Sequence, residues 1–312
     1  MNIYLCIIIG ALLLEFMLFN LSHHLDLKNI STSLPNAFKG YYSASEYARS
    51  QEYLMENTRF SYLTSGVDFL IILMVILSGL FNNVDLWIRG FGFSPMVSGL
   101  LFFGVLFIIQ DMISTPFSLY RTFIIEENYG FNKTTPKTYL LDKIKSYMLL
   151  IIIGGLILSL ILFFFNRFGD LAWLYAWIFL SAFLVLIQPL FTLFIAPMFN
   201  TFTPLEDGEL KNKINTFATK VNFPISRIDV MDGSRRSSKS NAYFSGLGKT
   251  KRIALFDTLI EKHSVDELLS IIAHEVGHYK KKHNIKGIIM GVMQAGIMFF
   301  LLSLFLNNEI LF

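Results

Sequence analysis

Of the chain's 312 residues 54% are hydrophobic and 16% charged, with 32 Phe and 13 Tyr and a mean hydropathy of +0.53. Soluble domains carry roughly 25% charged residues, so a wholly soluble protein is excluded. The formal net charge of +3, with basic residues spread along the chain, argues against a nucleic-acid partner. The single cysteine, Cys6, leaves neither a disulfide framework nor a Cys-rich metal site, so any metal has to be held by His and carboxylate.

In chain order, six apolar runs are long enough to cross about 30 Å of hydrocarbon: Ile3–Phe19, Tyr62–Phe81, Met96–Leu119, Tyr147–Phe165, Leu171–Phe194 and Ile288–Leu306. The first lacks a basic leader and a small-residue cleavage site and contains Glu15, so it reads as a retained helix and not a signal peptide. All 26 Lys and Arg fall outside the runs, and 24 of them lie in the segments 20–61, 120–146 and 195–287. Positive charge collects on the cytoplasmic side, so these segments are expected in the cytosol and the N-terminus on the opposite side. Glu15, Asp68, Gln110, Asp111 and Gln188 lie within the spans. Such groups line a wet bundle interior or hold helices together by hydrogen bonds, and both readings stand.

Past Pro197 the composition turns to mixed charge. Leu210, Ile214, Phe217 and Val221 recur every three or four residues, predicting an amphipathic helix over 205–221 that ends at Asn222 and Pro224. Arg227–Met231 alternates as a strand, and Asn241–Phe244 and Ile253–Phe256 flank a turn region at Gly246–Lys249, which predicts a hairpin. The stretch Arg235–Ser240 reads as a mobile basic loop. The expected organisation is a membrane domain over 1–194 with five helices, a small cytosolic α+β unit over 195–287, and a sixth span over 288–312.

Ser264 followed by Glu267 has the form of a capping box, so a helix is expected from Val265. That helix contains His274, Glu275 and His278, an H-E-x-x-H sequence. Positions four apart share one helix face, so His274 and His278 can present nitrogens to one Zn2+, and Glu275 can take a proton from a water held there. His283 is one residue short of the extended H-E-x-x-H-x-x-G-x-x-H pattern and reads as a solvated residue beside the Lys280–Lys282 run, itself an interfacial anchor. Catalytic zinc takes three protein ligands; this chain offers two, with no third zinc ligand in it. Downstream of His278 the only carboxylate is Glu309, about 45 Å away along a rigid helix. The expectation is a C-terminally truncated chain whose third ligand lies on a later segment.

The stretches 204–210 (PLEDGEL), 230–244 (VMDGSRRSSKSNAYF) and 251–260 (KRIALFDTLI), with His274–His278 and 127–132 (ENYGFN), resemble the type I CAAX prenyl protease family. The resemblance implies an α-helical membrane bundle of seven spans, the seventh downstream of this chain, around a water-filled chamber, with a zincin-like α+β domain. It implies one zinc per site, ligated by His274 and His278, with Glu275 as the catalytic carboxylate. Asn241, Ala242 and Tyr243 match the edge strand beside which an extended substrate lies, and a free strand edge can pair with any peptide backbone. The implied activity removes the last three residues of prenylated CAAX proteins, so the partners are a peptide or protein substrate and the lipid bilayer. The membrane is the inner membrane in a bacterium and the endoplasmic reticulum in a eukaryote. Two other functions fit the same residues: a quality-control zinc endopeptidase with no prenyl requirement, and a catalytically incomplete membrane peptide-binding protein.

Overall fold

The computed structural model describes residues 3–245 and 251–306. The predicted Gly246–Lys249 turn, Glu309 and the last residues Ile310–Phe312 lie outside the described residues. The chain divides into two compact units, 1–132 and 133–312. Among the described residues six helices are long and apolar enough to cross a membrane, as the six runs predict.

In the first unit these helices are α1 (Ile3–Asn29) and α2 (Ala44–Leu77), and, after the short α3 (Leu80–Arg89), α4 (Pro95–Asn128). Their starts are locally coded. Ser43 and Ser94 accept from the amides of Glu46 and Val97, and Pro95 occupies the first turn, where its missing N–H costs nothing. Helices α1 and α2 are held by the Tyr62 hydroxyl donating to the Asn20 carbonyl at 3.0 Å and by stacked Phe16 and Phe69. Near the end of α4, the Tyr120 ring stacks on Phe60 of α2 and the Arg121 guanidinium lies over the same ring.

The helices outrun their apolar stretches. Helix α2 starts at Ala44 although hydrophobicity starts at Tyr62, so about 27 Å of polar helix precedes the apolar part at 1.5 Å per residue. Helix α4 likewise runs nine residues past Leu119, to Asn128. Many of the basic residues predicted to sit in loops 20–61 and 120–146 therefore ride on helices. Composition could not show this, because a polar helix and a polar loop differ in backbone bonding and not in hydropathy.

In the second unit, α5 (Pro136–Arg167) and α6 (Gly169–Phe199) lead into β1 (Phe202–Pro204), α7 (Glu209–Lys220) and β2 (Arg227–Met231). Then follow β3 (Ala242–Ser245), β4 (Arg252–Phe256), α8 (Asp257–Lys262), α9 (Val265–Lys280) and α10 (His283–Leu306). The sheet order is β1-β2-β4-β3, with β2 and β4 parallel and the other pairs antiparallel. One sheet face carries Ile228, Ala242, Ile253 and Leu255, and these join Ile214 and Ala218 of α7 and Leu268, Ile272 and Val276 of α9 in a single core. On the other face Asp229 is fully buried, accepting from Arg227 at 2.5 Å and from Arg252, which is how a buried carboxylate is tolerated. Helix α10 lies along α6, where Trp177 donates to the Val292 carbonyl at 2.8 Å. A Cβ at Gly296 would lie 3.0 Å from the Trp177 nitrogen, so a larger residue there would have to push the indole back by a few tenths of an ångström.

Strand β2 and the β3/β4 pair form where expected. The helix predicted from 205 begins only at Glu209, because Leu205 instead donates its amide to Ile228 and extends the strand side. The predicted mobile loop at Arg235–Ser240 is a correction: it is tied down. Arg236 makes a two-pronged pair with Asp142 of α5 at 2.7 and 2.9 Å and donates to Asn200 at 3.0 Å, while its carbonyl accepts from Lys133 and Thr134. Ser240 donates to the Thr258 carbonyl and Thr258 to the Lys239 carbonyl. A run of charge and serine reads as solvated only when its partners, here 94 residues away in sequence, are not visible.

Asp142→Ala strands that guanidinium, and the expected loss is about 1.5–3 kcal/mol, the worth of hydrogen bonds to a charged group. Arg236→Ala should cost a similar amount, and the double variant little more than either alone. Denaturant unfolding in detergent checks this; additive losses would show that the two side chains act separately.

Candidate metal centre on helix α9

Helix α9 begins where the capping box predicts. The Ser264 hydroxyl accepts from the Glu267 amide and the Glu267 carboxylate accepts from the Ser264 amide at 2.8 Å. Those bonds, the backbone one first, hold the Glu267 carboxyl below its ordinary range. Leu268, Ile272 and Val276 form the buried stripe, so the opposite face, which carries His274 and His278, is exposed.

The two imidazoles converge. Their Nε2 atoms are 3.0 Å apart and the rings meet edge to face at 4.8 Å. Nitrogens that close can both reach one ion at the zinc–nitrogen distance of about 2.0–2.1 Å, so the donor set fits a metal. Glu275 is half-buried and next to the first imidazole, and its carboxylate takes no hydrogen bond among the described residues. Among those residues no group of three His, Cys, Asp or Glu is placed to hold an ion. The pair offers two donors, one fewer than the three protein ligands that a catalytic zinc takes.

Strand β3 ends the sheet order and pairs only with β4 among the described strands. Asn241 starts it: its side-chain oxygen accepts from the Ala242 amide at 2.8 Å and its carbonyl accepts from Phe256. Ala242 is buried in the core and packs toward α9, while Tyr243 points to the Asp229 face, where burial pushes its hydroxyl pKa up. Among the described strands the other edge of β3 is unpaired, and such an edge is what β-augmentation uses.

Three features escaped the sequence reading. Gly233 abuts Phe256, where a Cβ would sit 2.4 Å from a ring carbon, and so lets the chain turn before the edge strand. Phe223 packs edge to face on both Phe244 of β3 and Tyr279 of α9, and the Lys251 ammonium, on a residue only 3% exposed, lies 3.6 Å from the Tyr279 ring centre. This stack joins the edge strand to the residue following His278. His283 is exposed, as expected, and also places Nδ1 2.8 Å from Nδ1 of His278, which the sequence did not show. On an unbroken helix, position 283 would lie about 140° around from 278 at 100° per residue; Lys282, at φ +56°, breaks the helix and returns it. Only a left-handed residue between two helices could have signalled this, and lysine is a poor marker for one.

Because Glu267 is held below its unfolded pKa, its stabilisation is complete above the ordinary carboxylate range, about pH 4.3, and is lost as pH falls through the lower folded value. The protection of amides at the start of α9 relative to their intrinsic exchange should be constant at neutral pH and fall in acid. Glu267→Gln should keep the cap and abolish that acid dependence; an unchanged acid limb would assign it to another group.

Residues 23–201 match the family described as CAAX prenyl protease N-terminal, five membrane helices, and residues 204–311 match Peptidase family M48. CAAX prenyl protease 1 of Saccharomyces cerevisiae is 43% identical over 228 residues, covering 72% of this chain and 50% of that protein. A probable CAAX prenyl protease 1 of Schizosaccharomyces pombe is 38% identical, covering 88% and 59%. The crystal structure of S. mikatae Ste24p superposes with a TM-score of 0.92 at 33% identity, over 99% of this chain and 74% of that one. The chain thus spans about half to three fifths of the length of these two curated relatives. The family resemblance read from the sequence is borne out.

Proposed function

Because the chain belongs to the M48 peptidase family, with the N-terminal membrane region of the CAAX prenyl proteases, we propose that it is the core of a membrane zinc endopeptidase that trims the C-terminal tripeptide from prenylated proteins. The observation that carries this is the convergence of the His274 and His278 Nε2 atoms at 3.0 Å beside Glu275, on a helix packed against a sheet whose last strand has one partner among the described strands.

His274 and His278 hold the metal. Bound zinc would supply Lewis acidity toward the scissile carbonyl and toward the attacking water. Glu275 accepts the proton of that water and returns it to the leaving amine. Asn241, Ala242 and Tyr243 hold the substrate extended, its backbone bonded to the edge of β3, so sequence selection is left to side-chain pockets and to the tail's lipid. The soluble unit, roughly 195–287, lies in the cytosol with the N-terminus opposite, a reading supported by the distribution of Lys and Arg. A lipid-modified tail then reaches the site with its apolar group still in the bilayer.

In the protein as its own gene expresses it, Glu275→Gln is expected to reduce cleavage of a prenylated CAAX peptide about 10²–10⁴-fold while leaving bound zinc unchanged. Undiminished cleavage would refute the role of Glu275. Equal cleavage of the unmodified peptide would replace prenyl processing by general membrane proteolysis.

A further inference from the structure

We infer that His283 is a positioning residue of the metal site, fixing His278 through the ring nitrogen turned away from the ion; this rests on the reading of His274 and His278 as ligands. A neutral imidazole has one N–H donor and one bare nitrogen. For Nε2 of His278 to offer its lone pair toward His274, the proton of His278 has to sit on Nδ1, and a buried or ligating imidazole holds that tautomer when an acceptor lies opposite. The atom opposite is Nδ1 of His283, at 2.8 Å, with the two rings edge to face and their centres 4.9 Å apart. The bond is consistent only if His283 is bare at Nδ1 and carries its own proton on Nε2.

The arrangement is asymmetric and built into the backbone. Among the described residues His274 has no corresponding partner on its Nδ1, so the orienting contact serves the second imidazole alone. That imidazole lies in the last turn of α9, where a helix frays and a side chain is least fixed by its neighbours. Lys281 and Lys282 form the whole connection between α9 and α10, and Lys282 accepts a left-handed conformation that suits glycine better, at φ +56°. A side chain held in an unfavourable backbone turn so that the next residue meets His278 is what an orienting role requires. The same turn sets the direction of α10, so the start of the last membrane helix and the tautomer of a ligand depend on one pair of residues.

The test is zinc affinity of the full chain, measured by competition with a chromophoric chelator, for wild type, His283→Ala, His283→Asn and His278→Ala, with thermal unfolding in detergent confirming that each is folded. Loss of an outer partner typically costs 10–100-fold in metal affinity; His283→Ala is expected to fall in that range. His283→Asn, whose side-chain oxygen can accept the same proton, should recover most of it. Substitution with cobalt should give a visible spectrum that shifts in His283→Ala and returns toward wild type in His283→Asn, which loss of packing alone would not produce. Affinity in His283→Ala within twofold of wild type would overturn the inference while leaving the metal site intact. A loss as large as that of His278→Ala would overturn it too, by making His283 a ligand. If wild type itself binds no zinc, the metal reading fails first and the inference with it.

Discussion

The chemistry open to this protein depends on two imidazoles standing one helical turn apart with their nitrogens turned toward each other. Such a pair attracts only when one ring donates a proton to the other or a cation bridges them. Two bare nitrogens at 3.0 Å repel unless a proton or a cation lies between them, so the fold has to hold both ends of the helix that carries them. It does so by different means. At the start, Ser264 and Glu267 satisfy each other's amides. At the end, Phe223 and the Lys251 ammonium grip the Tyr279 ring, and Lys282 turns the chain sharply away. Between them, Leu268, Ile272 and Val276 seat the helix on the sheet.

The sheet brings the same rigidity to its border strand. Strand β4 lies in the middle, parallel to β2 and antiparallel to β3, and this order leaves β3 at the border. Asp229, wholly buried between Arg227 and Arg252, makes the far face of the sheet a charged layer. Such a layer costs desolvation, and in return it makes strand placement specific, because shifting β2 against β4 would separate the carboxylate from the Arg252 guanidinium across the strands. The loop entering β3 is fastened independently, by Arg236 to Asp142 and Asn200 and by Thr258 to Lys239. Among the described residues the border strand thus pairs with one neighbour and is fixed along its length.

The membrane helices show how a bilayer protein reconciles helical continuity with changes of direction. Three of them contain a wider, π-type turn, at Arg121–Ile125, Leu150–Gly154 and Phe191–Ile195. Two of these follow within a few residues of an internal proline, Pro116 and Pro189, where a backbone donor is missing and the ring crowds the preceding turn. A widened turn restores hydrogen bonding one residue later and rotates the side chains beyond it, which matters in a solvent that cannot bond to a stray carbonyl.

What the sequence by itself determined was local. The six membrane helices, strand Arg227–Met231, the pairing of Asn241–Phe244 with Ile253–Phe256, the start of α9 at Val265 and the shared face of His274 and His278 all follow from periodicity, capping and turn chemistry within a few residues. Tertiary structure alone decided the rest. It set β4 between β2 and β3 and so left β3 at the border of the described sheet; it bound Arg236 to a carboxylate on α5; it extended α2 and α4 as polar helices beyond their apolar stretches; and it brought His283 back to His278. Each of these depends on a partner far along the chain or on one backbone torsion, and neither leaves a period in the sequence to be read.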